Sequence, residues 1–109
     1  MSKPVNLVQG TLDLLILKIL QLEPLHGWGI TQRISQMSNE VLQVGQSALY
    51  PALHKLEQQG FIDGEWKIQE NNRRAKYYSL TRAGQKVLAT EAEQWGRLSA
   101  AISLIVGST

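Results

Sequence analysis

The stretch Ser47–Leu80, SALYPALHKLEQQGFIDGEWKIQENNRRAKYYSL, decides the predicted fold of this chain of 109 residues. Its first part predicts a helix that begins near Gln46 or Ser47 and ends before Gly60, which suits a left-handed C-terminal cap. Pro51 lies early in this helix, where the loss of one backbone donor is tolerated. Three apolar residues recur at i, i+4 and i+7 and predict the buried face: Leu49, Leu53 and Leu56.

The second part of the stretch alternates apolar and polar residues, which predicts a two-stranded hairpin. The turn is expected at Glu70-Asn71-Asn72, because asparagine readily adopts positive φ. The apolar face of the hairpin is predicted from five residues: Ile62, Trp66, Ile68, Tyr78 and Leu80. Three cations crowd its tip: Arg73, Arg74 and Lys76. A helix with a polar outer face beside a cation-tipped ribbon can engage one DNA groove with each element.

Two further helices are predicted before this stretch. The first runs from about Gly10 to Leu22 and ends because Pro24 disfavours helical geometry in the residue before it. It is apolar almost all round, which indicates burial on several sides. The second runs roughly from Trp28 to Met37, with an inward face of Ile30, Ile34 and Met37. A short strand that pairs with the hairpin is expected from three residues: Val41, Leu42 and Val44.

The last helix is predicted from Arg82 to Val106, with Thr81 as its N-cap. It would be about 37 Å long, which exceeds the compact unit before it, so its end is expected to pack against a second copy of the chain. Its apolar stripe has five members: Ala92, Trp95, Leu98, Ile102 and Ile105. The predicted dimer interface adds two residues of the first helix to four of these: Leu15, Ile19, Trp95, Leu98, Ile102 and Ile105.

These elements predict a mainly α fold with a small β-hairpin, a winged helix-turn-helix followed by a C-terminal dimerisation helix. Residues 1–81 would form the DNA-binding domain, and residues 82–109 the dimerisation helix. At this length a single domain buries a core without disulfides or metal.

The formal charge of +2 is compatible with nucleic acid but too small to decide. Its distribution says more, because the whole excess lies between Ser47 and Arg82, which hold six cations and four acids. There are no cysteines, which excludes a thiolate metal site and fits a cytoplasmic protein. No stretch is apolar enough to span a membrane, and the N-terminus lacks the pattern of an export signal.

The outward face of the third helix offers hydroxyl, amide, ring and cationic groups that suit base edges and phosphates. The candidate DNA-binding residues come from this face and from the hairpin: Gln46, Ser47, Tyr50, His54, Lys55, Arg73, Arg74 and Lys76. Taken alone, the helix face is better interpreted as an ordinary solvated surface, because every amphipathic helix has one. The cationic hairpin beside it favours nucleic acid.

Trp95 has three interpretations: core packing, a dimer seam, or a platform for a flat aromatic ligand if two copies leave a gap. No catalytic set is visible. His26 and His54 are the only histidines, and neither has the nucleophile, base and orienting group that a hydrolase needs. We expect no cofactor, no metal and no enzymatic activity.

The chain resembles the PadR family of bacterial transcriptional regulators. Four segments in this order and spacing carry the resemblance: GTLDLLILKIL, HGWGI, SALYPALHKLEQQGFI and RRAKYYSLTRAG. The single C-terminal helix is similar to the short subclass. The resemblance implies a homodimer on a palindromic operator, usually as a repressor, with the last helix packed against the partner's first and last helices. It also implies an aromatic core role for Trp28. In some short members an aromatic residue of the last helix lines a ligand pocket at the dimer centre, and Trp95 matches that residue by position.

The sequence therefore predicts a DNA-binding transcriptional regulator, a homodimeric repressor. The alternative is a winged-helix module that joins proteins without touching DNA. Four acids in the same region keep that alternative open: Glu57, Asp63, Glu65 and Glu70.

Overall fold

The computed structural model describes residues 10–108, so residues 1–9 of the predicted first domain and Thr109 lie outside the described part. Four helices and a three-stranded antiparallel sheet follow one another: α1 Thr11–Leu22, β1 Leu25–His26, α2 Gly27–Met37, α3 Gln46–Gln58, β2 Ile62–Ile68, β3 Arg74–Leu80 and α4 Arg82–Val106. The strand order is β1-β3-β2. The predicted winged helix-turn-helix fold, mainly helical with a small sheet, is confirmed.

The core lies where α1, α2 and α3 meet the sheet and the first half of α4. The three leucines of α3 are almost completely enclosed, as the helical spacing predicted. Ile16 of α1, Ile30 of α2 and Ile62 of β2 are fully buried against them. Leu88 of α4 belongs to the same cluster. The described residues on both sides of the predicted domain boundary after residue 81 thus share one core. The division into two domains stays a prediction.

The ends of the helices follow the predicted local chemistry. α1 stops at Leu22, and the backbone is extended at Glu23, the residue before Pro24. The Thr81 hydroxyl accepts a hydrogen bond from the Gly84 amide at 3.0 Å and so caps α4. Gly60 has the left-handed φ of +79° that follows α3.

The predicted strand at Val41–Val44 is wrong, and β1 takes the place beside the hairpin. Leu25 pairs with Tyr78 of β3 and His26 with Tyr77. The segment after α2 turns instead of extending, because Asn39 and Glu40 both adopt positive φ. The Leu42 amide donates to Ser38 Oγ at 3.0 Å, so this backbone donor is satisfied locally and not by a sheet.

The hairpin is longer than the core it covers, which corrects the predicted apolar face. Ile62 and Tyr78 are buried, but the Trp66 side chain is 57% exposed and Ile68 is more exposed still. The pleat does put Trp66 and Ile68 on the same face as Ile62. That face simply runs beyond the helices. Two residues of α2 are also exposed against expectation: Trp28 at its first turn and Met37 at its last.

The second half of α4 leaves the core. Gly84 and Leu88 are the buried residues of this helix, and the large apolar side chains from Trp95 to Val106 are exposed in the single chain. The projecting helix accounts for the longest dimension, 58 Å. Within residues 10–108 no helix combines the length and apolar composition needed to cross a bilayer.

The junction between β3 and α4 is tied to the junction between α3 and β2. The Thr81 amide donates to the Phe61 carbonyl at 3.1 Å, and its hydroxyl donates to the Gly60 carbonyl at 2.7 Å. The first turn of α4 then crosses Phe61 so closely that a Cβ atom at Gly84 would overlap the Phe61 carbonyl oxygen. A glycine is required there for this crossing.

Replacement of Gly84 by alanine is therefore expected to destabilise the protein by about 2–4 kcal/mol, because the new methyl group meets rigid backbone. Urea unfolding at a fixed protein concentration measures the change. Gly96→Ala is the matched control in the same helix, since within residues 10–108 a Cβ at that position meets nothing within 4 Å beyond its own helix backbone and flanking residues. It should be neutral or stabilise by up to about 1 kcal/mol. Equal effects of the two changes would contradict the close crossing.

Candidate nucleic-acid interface

The side of α3 opposite its leucines is exposed over the length of the helix. Gln46 and Ser47 begin the helix after the extended Gly45, and both are exposed. Tyr50 and His54 follow on the same side, and both are exposed. Their amide, hydroxyl, phenol and imidazole groups are free to meet base edges or phosphates.

Tyr50 also connects α3 to the start of α2. Its side chain is 46% exposed, yet the phenol ring lies across Gly27, where an added Cβ would come within 2.9 Å of Tyr50 Oη. Gly27 is the first residue of α2, which His26 caps by accepting the Gly29 amide on Nδ1 at 3.1 Å. The absence of a side chain at Gly27 thus lets the ring lie against the helix terminus, which limits its freedom to move.

Lys55 lies on the exposed face of α3 and also forms an ion pair within the chain. Its Nζ lies 2.6 Å from Asp13 Oδ2 of α1, and its side chain remains 54% exposed. The ion pair reduces the positive potential that Lys55 adds to the surface. A surface pair of this kind contributes little to stability.

The tip of the hairpin has a defined shape. The Gln69 amide donates to the Arg73 carbonyl at 2.7 Å, and the Arg73 amide donates to Asn71 Oδ1 at 3.0 Å. Asn72 adopts positive φ, as the predicted turn required. Arg73 and Arg74 are both exposed, and neither makes an ion pair with any acid among residues 10–108. The hairpin therefore presents two unneutralised guanidinium groups.

Lys76 differs from these arginines because it lies nearer the middle of β3, opposite Trp66, and is paired. Its Nζ lies 2.8 Å from Glu57 Oε1 of α3, and this hydrogen bond raises the pKa of Lys76. Gly64 on β2 makes room for the pair, because a Cβ there would overlap the lysine chain. Lys76 thus holds the hairpin against α3. Burial raises the pKa of the neighbouring Tyr78, so its hydroxyl stays neutral.

A groove of about 680 Å³ separates the hairpin from the helices. Tyr50 lines it from α3, Trp28 from α2, and Trp66, Arg74 and Lys76 from the hairpin. The Arg74 guanidinium stacks on the indole of Trp66, with 5.2 Å between its carbon and the ring centroid. The exposed face of α3 and the cationic strand β3 therefore border one surface.

Trp28 and Trp66 were not predicted to lie at this surface. Trp28 was expected in the core, but it lies in the first turn of α2 and is more than half exposed. Trp66 lies in β2 opposite Lys76, well along the hairpin from its base. The hairpin extends beyond the helices at this point, so the indole lies outside the core.

The predicted dimer residues divide into two groups. Trp95, Leu98, Ile102 and Ile105 are exposed along α4, which leaves apolar area for a partner. Ile19 is only 4% exposed, since it already packs in the chain's own core, so it has little surface to offer. Leu15 is partly buried.

Trp95 lies over the start of α1. It lines a small cleft of about 180 Å³, with Thr11 and Leu14 on the opposite wall. The indole thus makes intrachain contacts and still exposes 41% of its surface. Both the packing and the seam interpretations of Trp95 are compatible with this position.

The chain matches a known protein family and several proteins of known structure. The model of the transcriptional regulator PadR-like family matches residues 16–90. A Streptococcus mutans protein of known crystal structure is 31% identical, with a TM-score of 0.82, over 99% of this chain and 95% of that chain. A transcriptional regulator from Clostridium thermocellum is 28% identical, with a TM-score of 0.82, over 90% of this chain and 92% of that chain.

The structure of Bacillus subtilis PadR in complex with operator DNA is also similar. It is 29% identical with a TM-score of 0.70, and the match covers 78% of this chain and 48% of the longer PadR chain. The family consists of transcriptional regulators and not of enzymes, in agreement with the prediction. From the extent of the family match, this chain belongs to the PadR-like family of transcriptional regulators.

Proposed function

We propose that the protein is a homodimeric repressor that binds a palindromic operator with α3 and the hairpin of each protomer. One observation carries the proposal: Tyr50 of α3 and Arg74 of β3 line the same groove, so the two elements face one ligand. A cytoplasmic location follows from this role.

In the proposed complex α3 enters the major groove and reads base edges with four side chains: Gln46, Ser47, Tyr50 and His54. Lys55, Arg73 and Arg74 contact phosphates, and Lys76 does so as far as its pair with Glu57 allows. The similarity to Bacillus subtilis PadR, whose structure contains operator DNA, supports this arrangement.

The apolar stripe on α4 supports the dimer. Two copies related by a two-fold axis would bury Trp95, Leu98, Ile102 and Ile105, which are exposed in one chain. Such a dimer places two recognition helices about one turn of DNA apart, ~34 Å, or a multiple of it. Trp95 then lies near the axis, where two indoles could also hold a flat aromatic effector.

The direct test uses a fluorescent fragment of the protein's own promoter and a scrambled fragment at two salt concentrations. The proposal expects tight, salt-sensitive binding that favours the native fragment. No binding to either fragment at low salt would instead support a module that joins proteins.

Arg74→Ala should weaken binding to every duplex and lower the slope of log affinity against log salt by ~0.9, because one phosphate contact is lost. Fluorescence anisotropy over a series of salt concentrations gives the slope. Lys86→Ala is the control, since it removes one exposed cation from α4, away from the hairpin. An unchanged slope for Arg74→Ala would remove the hairpin from the interface.

Glu57→Gln is expected to increase the affinity for duplex DNA about three- to tenfold at low salt, because it removes an acid and frees Lys76 for a phosphate. The salt slope should steepen by up to ~0.9. The same titration measures both effects.

Asp63→Asn provides the control for this prediction. It changes the net charge equally but lies on the opposite face of β2 from Gly64 and the ion pair. If both variants gained affinity alike, the gain would come from net charge and not from release of Lys76.

Ile102→Asp should yield monomers, because it places a carboxylate in the apolar seam while the side chain is already 47% exposed in the single chain. Sedimentation equilibrium measures the mass. Leu104→Asp is the control: Leu104 is 78% exposed and lies about 200° around α4 from Ile102. A dimer that survives Ile102→Asp would place the interface elsewhere.

A further inference from the structure

Gly27 lies where the start of α2 meets the exposed face of α3. The residue is buried, and an added Cβ atom would come within 2.9 Å of Oη, 3.1 Å of Cζ and 3.2 Å of Cε1 of Tyr50. These three atoms form the outer edge of the phenol ring, the edge that carries the hydroxyl group. The absence of a side chain at Gly27 therefore sets how closely this edge can approach α2.

The side chain of Tyr50 keeps only two torsions once α3 is packed. Leu49 and Leu53 are fully enclosed, so the rotation of α3 about its axis is fixed, and with it the position of the Tyr50 Cα atom. The ring is 46% exposed, so solvent borders one side of it while Gly27 borders another. The contact with Gly27 thus limits the directions that the two torsions can give to the hydroxyl group.

The backbone around Gly27 is held in place from its own side. His26 pairs with Tyr77 of β3, and its Nδ1 accepts the Gly29 amide at 3.1 Å, so the chain is fixed both before and after Gly27. A methyl group at Gly27 would meet the far end of an exposed side chain and not rigid backbone. The end of the Tyr50 side chain would therefore move, and α2 would keep its position.

We propose that Gly27 is a positioning residue for operator recognition: by leaving room for the phenol of Tyr50 beside α2, it determines which base pair Tyr50 contacts. The inference rests on the proposed function, in which Tyr50 reads a base edge. A hydroxyl hydrogen bond spans roughly 2.5–3.0 Å, so a small displacement of the phenol removes its base contact or transfers it to another base. Phosphate contacts come from other side chains and remain unchanged.

The contact is first tested without DNA, on the full-length protein labelled with ¹⁵N. Tyr50→Leu should shift the amide signal of Gly27, because an aromatic ring that touches this residue is removed, and should leave the Gly96 signal of α4 unchanged. Gly27→Ala should unfold at nearly the same urea concentration as the wild type, whereas Gly84→Ala should not. A Gly27 signal that ignores Tyr50, or a large loss of stability in Gly27→Ala, would overturn the proposal.

Operator preference is then measured by selection from a library of randomised DNA duplexes, followed by anisotropy titrations. Gly27→Ala should change the selected base at one position of each half-site and weaken the wild-type sequence about tenfold. Its affinity for unselected duplexes and its salt slope should match the wild type. Gly29→Ala is the matched control in the same turn, because a Cβ there lies nearest to the Leu25 side chain. It should select the wild-type sequence, and identical selection by Gly27→Ala would contradict the proposal.

A double-mutant cycle shows whether Gly27 acts through the phenol. In a Tyr50→Ala protein, Gly27→Ala should change neither the affinity nor the selected sequence any further, because the ring that its methyl group would meet is absent. A further loss in that background would mean a merely structural role for Gly27. A wild-type protein that selects no sequence would refute the proposed function itself. A wild type that selects an operator, beside a Gly27→Ala variant that selects the same one, would refute only the role of Gly27.

Discussion

Burial of the three leucines of α3 determines the orientation of everything that follows it in the chain. With Leu49, Leu53 and Leu56 almost fully enclosed, the opposite side of the helix has to face solvent, and rotation about the helix axis is not available. The direction in which α3 leaves the core then sets where Gly60 turns the chain into β2. The orientation of the exposed face of α3 and the position of the hairpin thus both follow from this buried stripe of leucines.

The hairpin is attached to the rest of the protein at two places. Thr81 and Gly84 fasten the β3–α4 junction to Gly60 and Phe61 through backbone contacts that tolerate no larger residue at Gly84. The ion pair of Lys76 with Glu57 joins the middle of β3 to α3. Beyond these points the hairpin extends past the core, so Trp66 and Arg74 are supported by each other and by strand pairing.

Local patterns predicted most of the fold because they act within one element. The spacing of the leucines, the proline after α1, the Thr81 cap and the positive φ of Asn72 each concern a few neighbouring residues, and each is confirmed. The errors arose where the outcome depends on distant partners. The strand expected at Val41–Val44 failed because Ser38 satisfied the Leu42 amide locally, and two residues before α2 took the edge of β3 instead.

The candidate site shows the same division. Exposure of Tyr50, His54 and the arginines followed from helix and strand periodicity. That Lys55 and Lys76 have acidic partners did not, because Asp13 and Glu57 lie 42 and 19 residues away in the chain. The exposure of Trp28 and Trp66 could not be predicted from the sequence pattern either. The pattern indicates which face of an element a side chain lies on, but not how far the core beneath that face extends.

The cations of the interface are consequently of two kinds, although the formal charge of +2 counts them alike. Arg73 and Arg74 are held by backbone and ring contacts and keep their full charge for a ligand, whereas Lys55 and Lys76 divide theirs with the protein's own acids. A phosphate that approaches a paired lysine must compete with a carboxylate already in contact, so its net gain is smaller. Among the described residues, the surface therefore concentrates its attraction for anions at the tip of the hairpin, on the exposed guanidinium groups of Arg73 and Arg74.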